Sequence, residues 1–135
     1  MQRPFLADGS YRPEAGKPLN PNNAWARFVY TAVSRYRPNG ELGRQSGWSA
    51  HLGVTHWEIW NQPDAITFWG GTPADYARLL EVGYVAARQA DPNASIMFGG
   101  LTSGLSSNFY DTVLQIYDLD TEAMARGYYH HGVVT

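Results

Sequence analysis

The segment His56-Trp57-Glu58-Ile59-Trp60-Asn61-Gln62-Pro63-Asp64 decides the fold prediction for this chain. Residues 54–60 are β-branched or aromatic at most positions and include neither glycine nor proline, which predicts a strand. The turn-forming residues 61–64 follow directly and end that strand. We therefore expect the polar side chains of residues 61–64 to lie in a loop at the end of a β-strand.

The spacing of apolar residues predicts a helix on each side of this strand. The first covers residues 23–36, is capped by Asn22 or Asn23, and has one apolar face: Trp25, Phe28, Val29, Ala32, Val33 and Tyr36. Residues 39–53 are polar and glycine-rich, and we predict a loop there. The second helix begins with Thr72 as N-cap and Pro73 at the first helical position, and it ends before Asp91.

The rest of the chain continues the alternation of strands and helices. Residues 95–98 predict a second strand, and a third helix starts near Ser106 or Ser107. Residues 121–126 then predict a short helix, and residues 128–135 predict a further strand. Such alternation implies a parallel sheet with right-handed crossovers, in either an open doubly wound sheet or a (β/α)₈ barrel. No glycine-rich nucleotide-binding motif follows a strand, which disfavours the nucleotide-binding sheets.

Composition narrows the class of protein further. The chain has 135 residues, 44% hydrophobic and 16% charged, which suits one folded domain. A net charge of −2 without a basic stripe argues against nucleic acid, and the apolar runs are too short for the ~20 residues that span a membrane. The chain has no cysteine and residues 1–22 do not resemble a signal peptide, so both a cytoplasmic and a secreted location stay open.

The motif at residues 56–64 resembles the fourth strand of clan A glycoside hydrolases, whose pattern there is Trp-Asn-Glu-Pro. Residues 68–77 resemble the following loop and helix in family 39 and related family 5 enzymes, and 91–101 are similar to the helix end and fifth strand. The resemblance covers roughly residues 20–135. It implies a partial (β/α)₈ TIM barrel, about half of one, with strands four to six in a single domain over residues 1–135 that starts with a loop-rich segment 1–22.

The resemblance also implies an activity, namely retaining hydrolysis of β-linked oligo- or polysaccharides by two carboxyl groups, without metal or cofactor. Gln62 stands at the acid/base position, Asn61 takes the sugar 2-hydroxyl, and Trp60 and Trp69 form the wall that faces the sugar. An amide has no proton to donate, and losing a general acid costs ~10²–10⁴-fold in rate. The family's nucleophile lies on a seventh strand that these residues do not include, so we expect no hydrolysis by this chain. The sequence leaves open whether Gln62 is natural or engineered.

Other titratable residues receive structural interpretations from the sequence. Glu58 precedes Gln62 by four residues, about 13 Å along an ideal strand, and we predict a buried structural charge that needs a partner. Asp64 after Pro63 is typical of a turn. His130 and His131 are adjacent on a predicted strand and point to opposite faces, which argues against a shared metal site.

Two alternative functions stay open at this point. A non-catalytic carbohydrate-binding protein would keep Asn61 and the tryptophan wall without a proton donor. A half-barrel or flavodoxin-like module would instead associate with itself through the open edges of its sheet. The aromatic content of 14% is compatible with sugar stacking, and also with a well-filled core.

Overall fold

The computed structural model describes residues 20–102 and 107–118. Within these ranges the chain forms four helices and two strands. In chain order they are α1 (Ala24–Tyr36), α2 (Glu41–Ser46), β1 (His56–Ile59), α3 (Pro73–Ala90), β2 (Ser95–Phe98) and α4 (Ser107–Asp118). The strands β1 and β2 are parallel neighbours in one sheet, and α3 connects them.

The predicted elements with clear start and stop signals are confirmed. Helix α1 begins after Asn23, whose side-chain oxygen accepts the amide proton of Ala26 at 3.1 Å as an N-cap should. Helix α3 begins at Pro73, and β2 covers the four residues that the sequence predicts. Helix α4 begins at Ser107, one of the two predicted starting positions.

The loop predicted over residues 39–53 is wrong in part, because it contains α2. This helix has only six residues and no side-chain hydrogen bond at its N-cap, Gly40, so the sequence carries little local signal for it. It packs against α1, and an Arg35–Glu41 ion pair of 3.4 Å joins the two helices. It ends at Gly47, whose φ of 67° lies in the left-handed region that glycine adopts readily.

The predicted partial (β/α)₈ barrel is wrong. The described residues form one sheet of two parallel strands, and no set of barrel strands four to six is present among them. Alternating strands and helices imply parallel pairing, and that pairing is observed, but alternation alone does not set the number of strands. The further strand predicted at 128–135 and the helix predicted at 121–126 lie outside the described residues, as does nearly all of the loop predicted over 1–22.

The first strand is shorter than predicted at both ends, for reasons visible in the backbone. Before it, the Val54 amide donates a hydrogen bond of 2.8 Å to the carbonyl of Tyr36 at the end of α1. After it, Trp60 has a φ of 71°, which is incompatible with a strand. The pairing of residues 56–59 is therefore limited by contacts that the strand pattern does not encode.

The chain divides into two compact units, and the division passes through α3. In the first, described over 20–57 and 82–95, α1 and the second half of α3 supply most buried apolar residues: Ala26, Val29, Val33, Val82, Tyr84, Val85, Ala86, Ala87, Ala90 and Ala94. A close backbone approach at Gly53 fixes the entry to β1, because a Cβ atom there would lie 2.4 Å from the Pro38 nitrogen.

The second unit, described over 58–81, 96–102 and 107–118, has an aromatic core around Tyr76. The Tyr76 ring is fully buried, with its centroid 4.8 Å from that of Phe98 and 5.8 Å from that of Phe109. Tyr110 continues the cluster, 5.1 Å from Phe98. Contacts among these rings join the start of α4 to the start of α3, and Tyr76 also contacts Trp69 in the loop that follows β1.

No helix in the described ranges is long and apolar enough to cross a membrane.

Candidate functional site

The loop that follows β1 has an unusual backbone. Trp60 and Gln62 both adopt positive φ angles, 71° and 48°, in the left-handed region that non-glycine residues rarely occupy. Such conformations cost about 1–3 kcal/mol each and cluster at functional sites. A hydrogen bond of 2.8 Å from the Gln62 amide to the Gly100 carbonyl holds the loop in place. The backbone thus sets the directions of residues 60–62.

The buried hydroxyl of Tyr76 ties the ends of both strands to α3. It donates to the Ile59 carbonyl at 2.9 Å and accepts the Gly99 amide proton at 2.8 Å. Burial raises the pKa of Tyr76 above its usual range, and the Glu58 carboxylate adds to that rise, while the hydrogen bond from Gly99 opposes it. Tyr76 is therefore a neutral structural group beneath the loop.

Trp60 and Trp69, both predicted as sugar-facing residues, lie together. Their ring centroids are 5.4 Å apart in an edge-to-face arrangement with an interplanar angle of 71°. The Trp60 indole donates to the Phe68 carbonyl at 3.0 Å, and the Trp69 indole to the Thr72 carbonyl at 3.2 Å. Trp69 also rests on Tyr76 at 6.1 Å. Both ring orientations are thereby fixed.

The loop that holds this pair also has exposed apolar residues. Trp60 is 42% exposed, Phe68 53% and Ile66 82%. Single apolar residues on a surface are ordinary, but three within nine positions concentrate exposed apolar side chains in this one loop, as binding surfaces often do. The sequence pattern did not single out Phe68 and Ile66, whose signal would have been apolar residues in a turn-rich segment.

Asn61 and Gln62 supply the polar groups of the loop. Asn61 is exposed and Gln62 is half-buried, and both follow Trp60 directly. Their amides can donate and accept hydrogen bonds but carry no charge. The loop therefore combines fixed aromatic faces with neutral hydrogen-bonding groups.

No protein-family model matches this sequence, and no curated protein matches it. The resemblance to glycoside hydrolases therefore rests on the motif residues themselves.

The prediction of a buried charge at Glu58 is wrong, because Glu58 is exposed. Its Oε1 atom accepts the Gly100 amide proton at 2.8 Å. Since the chain leaves strand geometry at Trp60, counting strand residues misplaces Glu58 relative to Gln62. Both residues are held by Gly100, which bonds Glu58 through its amide and Gln62 through its carbonyl.

Asp64, predicted as a turn residue, also makes a long-range contact. Its two carboxylate oxygens each accept the Thr102 amide proton at 3.1 Å, and the Thr102 hydroxyl donates to Oδ2. These bonds attach the loop after β1 to the segment after β2.

His130 and His131 lie outside the described residues. Within the described residues, no three side chains that could bind a metal ion are grouped together.

Proposed function

We propose that the loop over residues 60–72 binds a β-linked oligosaccharide without donating a proton to it. The observation that carries the proposal is the pair of indoles at Trp60 and Trp69, fixed 5.4 Å apart beside the exposed Asn61. Pyranose rings present apolar C–H faces, and an exposed, immobile indole provides a complementary surface. Sites for small ligands combine such apolar walls with a few polar groups that set orientation.

The roles of the polar groups follow from the resemblance to clan A glycoside hydrolases. Asn61 would hydrogen-bond the 2-hydroxyl of the sugar, and the Gln62 amide would donate to the glycosidic oxygen. Gln62 has no acidic proton, so it can hold that oxygen but cannot protonate the leaving group. This chemistry favours binding over cleavage.

Rigid orientation of the site supports tight binding. Each indole is held by a hydrogen bond to a backbone carbonyl, and Trp69 packs on the buried Tyr76. A ring that is already immobile loses little conformational entropy when a ligand covers it. The hydrogen bond from the Gln62 amide to the Gly100 carbonyl holds the loop in its positive-φ conformation.

Isothermal titration calorimetry with cellotetraose and xylotetraose tests the proposal on the 135-residue chain. We expect saturable binding of at least one tetrasaccharide, weakened about tenfold or more by Trp60→Ala or Trp69→Ala, as for a central aromatic contact. Trp48→Ala is the matched control, because Trp48 is 40% exposed but belongs to the other compact unit. Flat titrations with both sugars, or equal losses in all three variants, would overturn the proposal.

A second measurement addresses catalysis separately. The chain is incubated with an aryl β-glucoside and an aryl β-xyloside, and release of the phenol is followed by absorbance. We expect no release above the uncatalysed rate, since residue 62 is an amide. Turnover by the unmodified chain would show that the proton comes from another group and would contradict the non-catalytic part of the proposal.

A further inference from the structure

Glu58 places a carboxylate next to the proposed sugar site. It is an exposed residue of β1, two positions before Trp60, and the buried Ile59 separates the two. The motif interpretation assigns Glu58 no role in ligand binding. Its position relative to Gly100, in contrast, indicates such a role.

Gly100 relates the Glu58 carboxylate to Gln62 in space. The Gly100 amide donates to Glu58 Oε1 at 2.8 Å, and the Gly100 carbonyl accepts from the Gln62 amide at 2.8 Å. The nitrogen and oxygen of one residue are never far apart, so Glu58 Oε1 lies within about 9 Å of the Gln62 nitrogen. That distance is within the size of one or two pyranose rings.

The carboxylate has accepting capacity left for a ligand. Among the described residues, the Gly100 amide is the one hydrogen-bond donor on the Glu58 side chain. An ionised carboxylate has about four lone-pair positions, and Glu58 is exposed. The bond from Gly100 also restricts the orientation of the side chain.

We infer that Glu58 accepts hydrogen bonds from sugar hydroxyl groups and selects neutral over acidic oligosaccharides; this rests on the proposed function. Hydroxyl-to-carboxylate bonds are about twice as strong as those between neutral groups. A fixed negative charge repels a carboxylate on the ligand. Glu58 therefore favours a neutral, hydroxyl-rich glycan and disfavours a uronate of the same linkage.

Calorimetric titration of the 135-residue chain with three β-1,4-linked probes tests this inference. The probes are cellotetraose, xylotetraose and tetraglucuronate, which differ at the C5 substituent of each sugar. We expect the wild-type chain to prefer a neutral probe at least tenfold. Glu58→Gln keeps an oxygen that can accept the Gly100 amide proton but removes the charge, and we expect it to bind the neutral probe about 10- to 100-fold more weakly. In Glu58→Gln, the ratio between the affinity for the neutral probe and the affinity for tetraglucuronate should be smaller than in the wild-type chain.

Glu41→Gln is the matched control, because it removes the same charge from an exposed residue of α2, and we expect no change in either affinity. If Glu58→Gln does not melt cooperatively, Glu58→Asp replaces it; this variant keeps the charge, and we expect it to keep the preference for the neutral probe. The role of Glu58 would be overturned if Glu58→Gln bound the neutral probe as tightly as wild type and kept the same preference over tetraglucuronate. It would also be overturned if Glu58→Asp lost that preference. In both cases the proposed function would still stand. Absence of binding by the wild-type chain would overturn both.

Discussion

The hydroxyl of Tyr76 donates a hydrogen bond of 2.9 Å to the carbonyl of Ile59, a residue 17 positions earlier in the chain. The same hydroxyl accepts the Gly99 amide proton at 2.8 Å. One side chain of α3 thus satisfies backbone groups at the ends of both strands. Because Trp60 follows Ile59 directly, the direction of the proposed binding loop depends on this buried hydroxyl.

Replacing Tyr76 by phenylalanine should destabilise the fold. The change keeps the ring but leaves the Ile59 carbonyl and the Gly99 amide without their buried partner, and each such group costs about 1–3 kcal/mol. We expect a fall of about 2–4 kcal/mol in the free energy of unfolding, measured by urea denaturation. Tyr36→Phe is the control, because Tyr36 is 41% exposed whereas Tyr76 is fully buried. An equal, small effect of both substitutions would contradict the structural role of the hydroxyl.

Stability should also fall at alkaline pH because of Tyr76. Burial raises its pKa in the folded state, so the unfolded chain releases this proton first as the pH rises. The stabilisation is fully present below the unfolded value of about 10 and is lost as pH rises above it. We expect the unfolding midpoint to drop between about pH 9 and pH 11, less steeply in Tyr76→Phe. Burial also raises the pKa of Tyr110. Comparing Tyr110→Phe with wild type therefore measures how much Tyr110 contributes to the loss of stability as the pH rises. Identical pH profiles for Tyr76→Phe and wild type would exclude this explanation.

Gly99 should not tolerate a larger residue. An added Cβ atom would lie 2.9 Å from the Ile59 carbonyl oxygen and 3.0 Å from that of Trp60, both backbone atoms that cannot move independently. We expect Gly99→Ala to cost about 1–3 kcal/mol of stability, as overpacking does, and to weaken oligosaccharide binding by displacing Trp60. Gly70→Ala is the control, since a Cβ atom there meets nothing within 4 Å. Chemical denaturation measures the stability of both variants. Equal stabilities would show that the close approach at Gly99 is unimportant.

The start of α3 should make stability sensitive to acid. The Thr72 amide and hydroxyl donate to Asp75 Oδ2 at 2.9 and 2.7 Å, and the Asp75 amide donates to the Thr72 hydroxyl oxygen at 3.2 Å. The hydrogen bonds from Thr72 lower the pKa of Asp75 below its usual value. Its contribution is therefore present above the unfolded pKa of about 3.9 and is lost as pH falls through the lower folded value.

Thr72→Ala tests this reciprocal cap. We expect a loss of about 1 kcal/mol near neutral pH, as for other N-caps, and a difference from wild type that becomes smaller as the pH falls through the lowered folded pKa of Asp75. Thermal unfolding across this pH range provides the measurement. Asp111→Asn, at an exposed position of α4, should keep the wild-type loss of stability between neutral and acid pH. A Thr72→Ala deficit that stays constant with pH would contradict the role of the Asp75 charge.

Asp64 and Thr102 should be energetically coupled. The Asp64 carboxylate accepts both the amide and the hydroxyl of Thr102, and hydrogen bonds to charged groups contribute about 1.5–3 kcal/mol each. We expect Asp64→Ala to lower stability by about 2–3 kcal/mol, Thr102→Val by less, and the double variant by less than the sum. A double-mutant cycle by urea denaturation measures the coupling. Strict additivity would show that the two side chains act independently.

Much of the secondary structure could be predicted from the sequence because its signals are local. Asn23 and Thr72 cap helices through atoms three residues away, and Pro73 fixes the first helical φ. The apolar spacing of α1 and the short apolar run of β2 likewise depend on near neighbours. Helix α2 escaped prediction because six residues without a side-chain cap depend on packing against α1.

The tertiary structure alone decided how the site is built. Trp60 was predicted as the last residue of a strand, yet its φ is 71°; Glu58 was predicted as buried, yet it is exposed and bonds Gly100, 42 positions away. The number of strands was likewise mispredicted, because alternation of elements does not set it. By itself the sequence determined α1, α3 and α4, the parallel pairing and the residue types of the loop, since these depend on local backbone preferences and on the order of the elements. The tertiary structure decided the directions of those residues, because hydrogen bonds between distant segments, such as Tyr76 to Ile59 and Asp64 to Thr102, form only after the chain has folded.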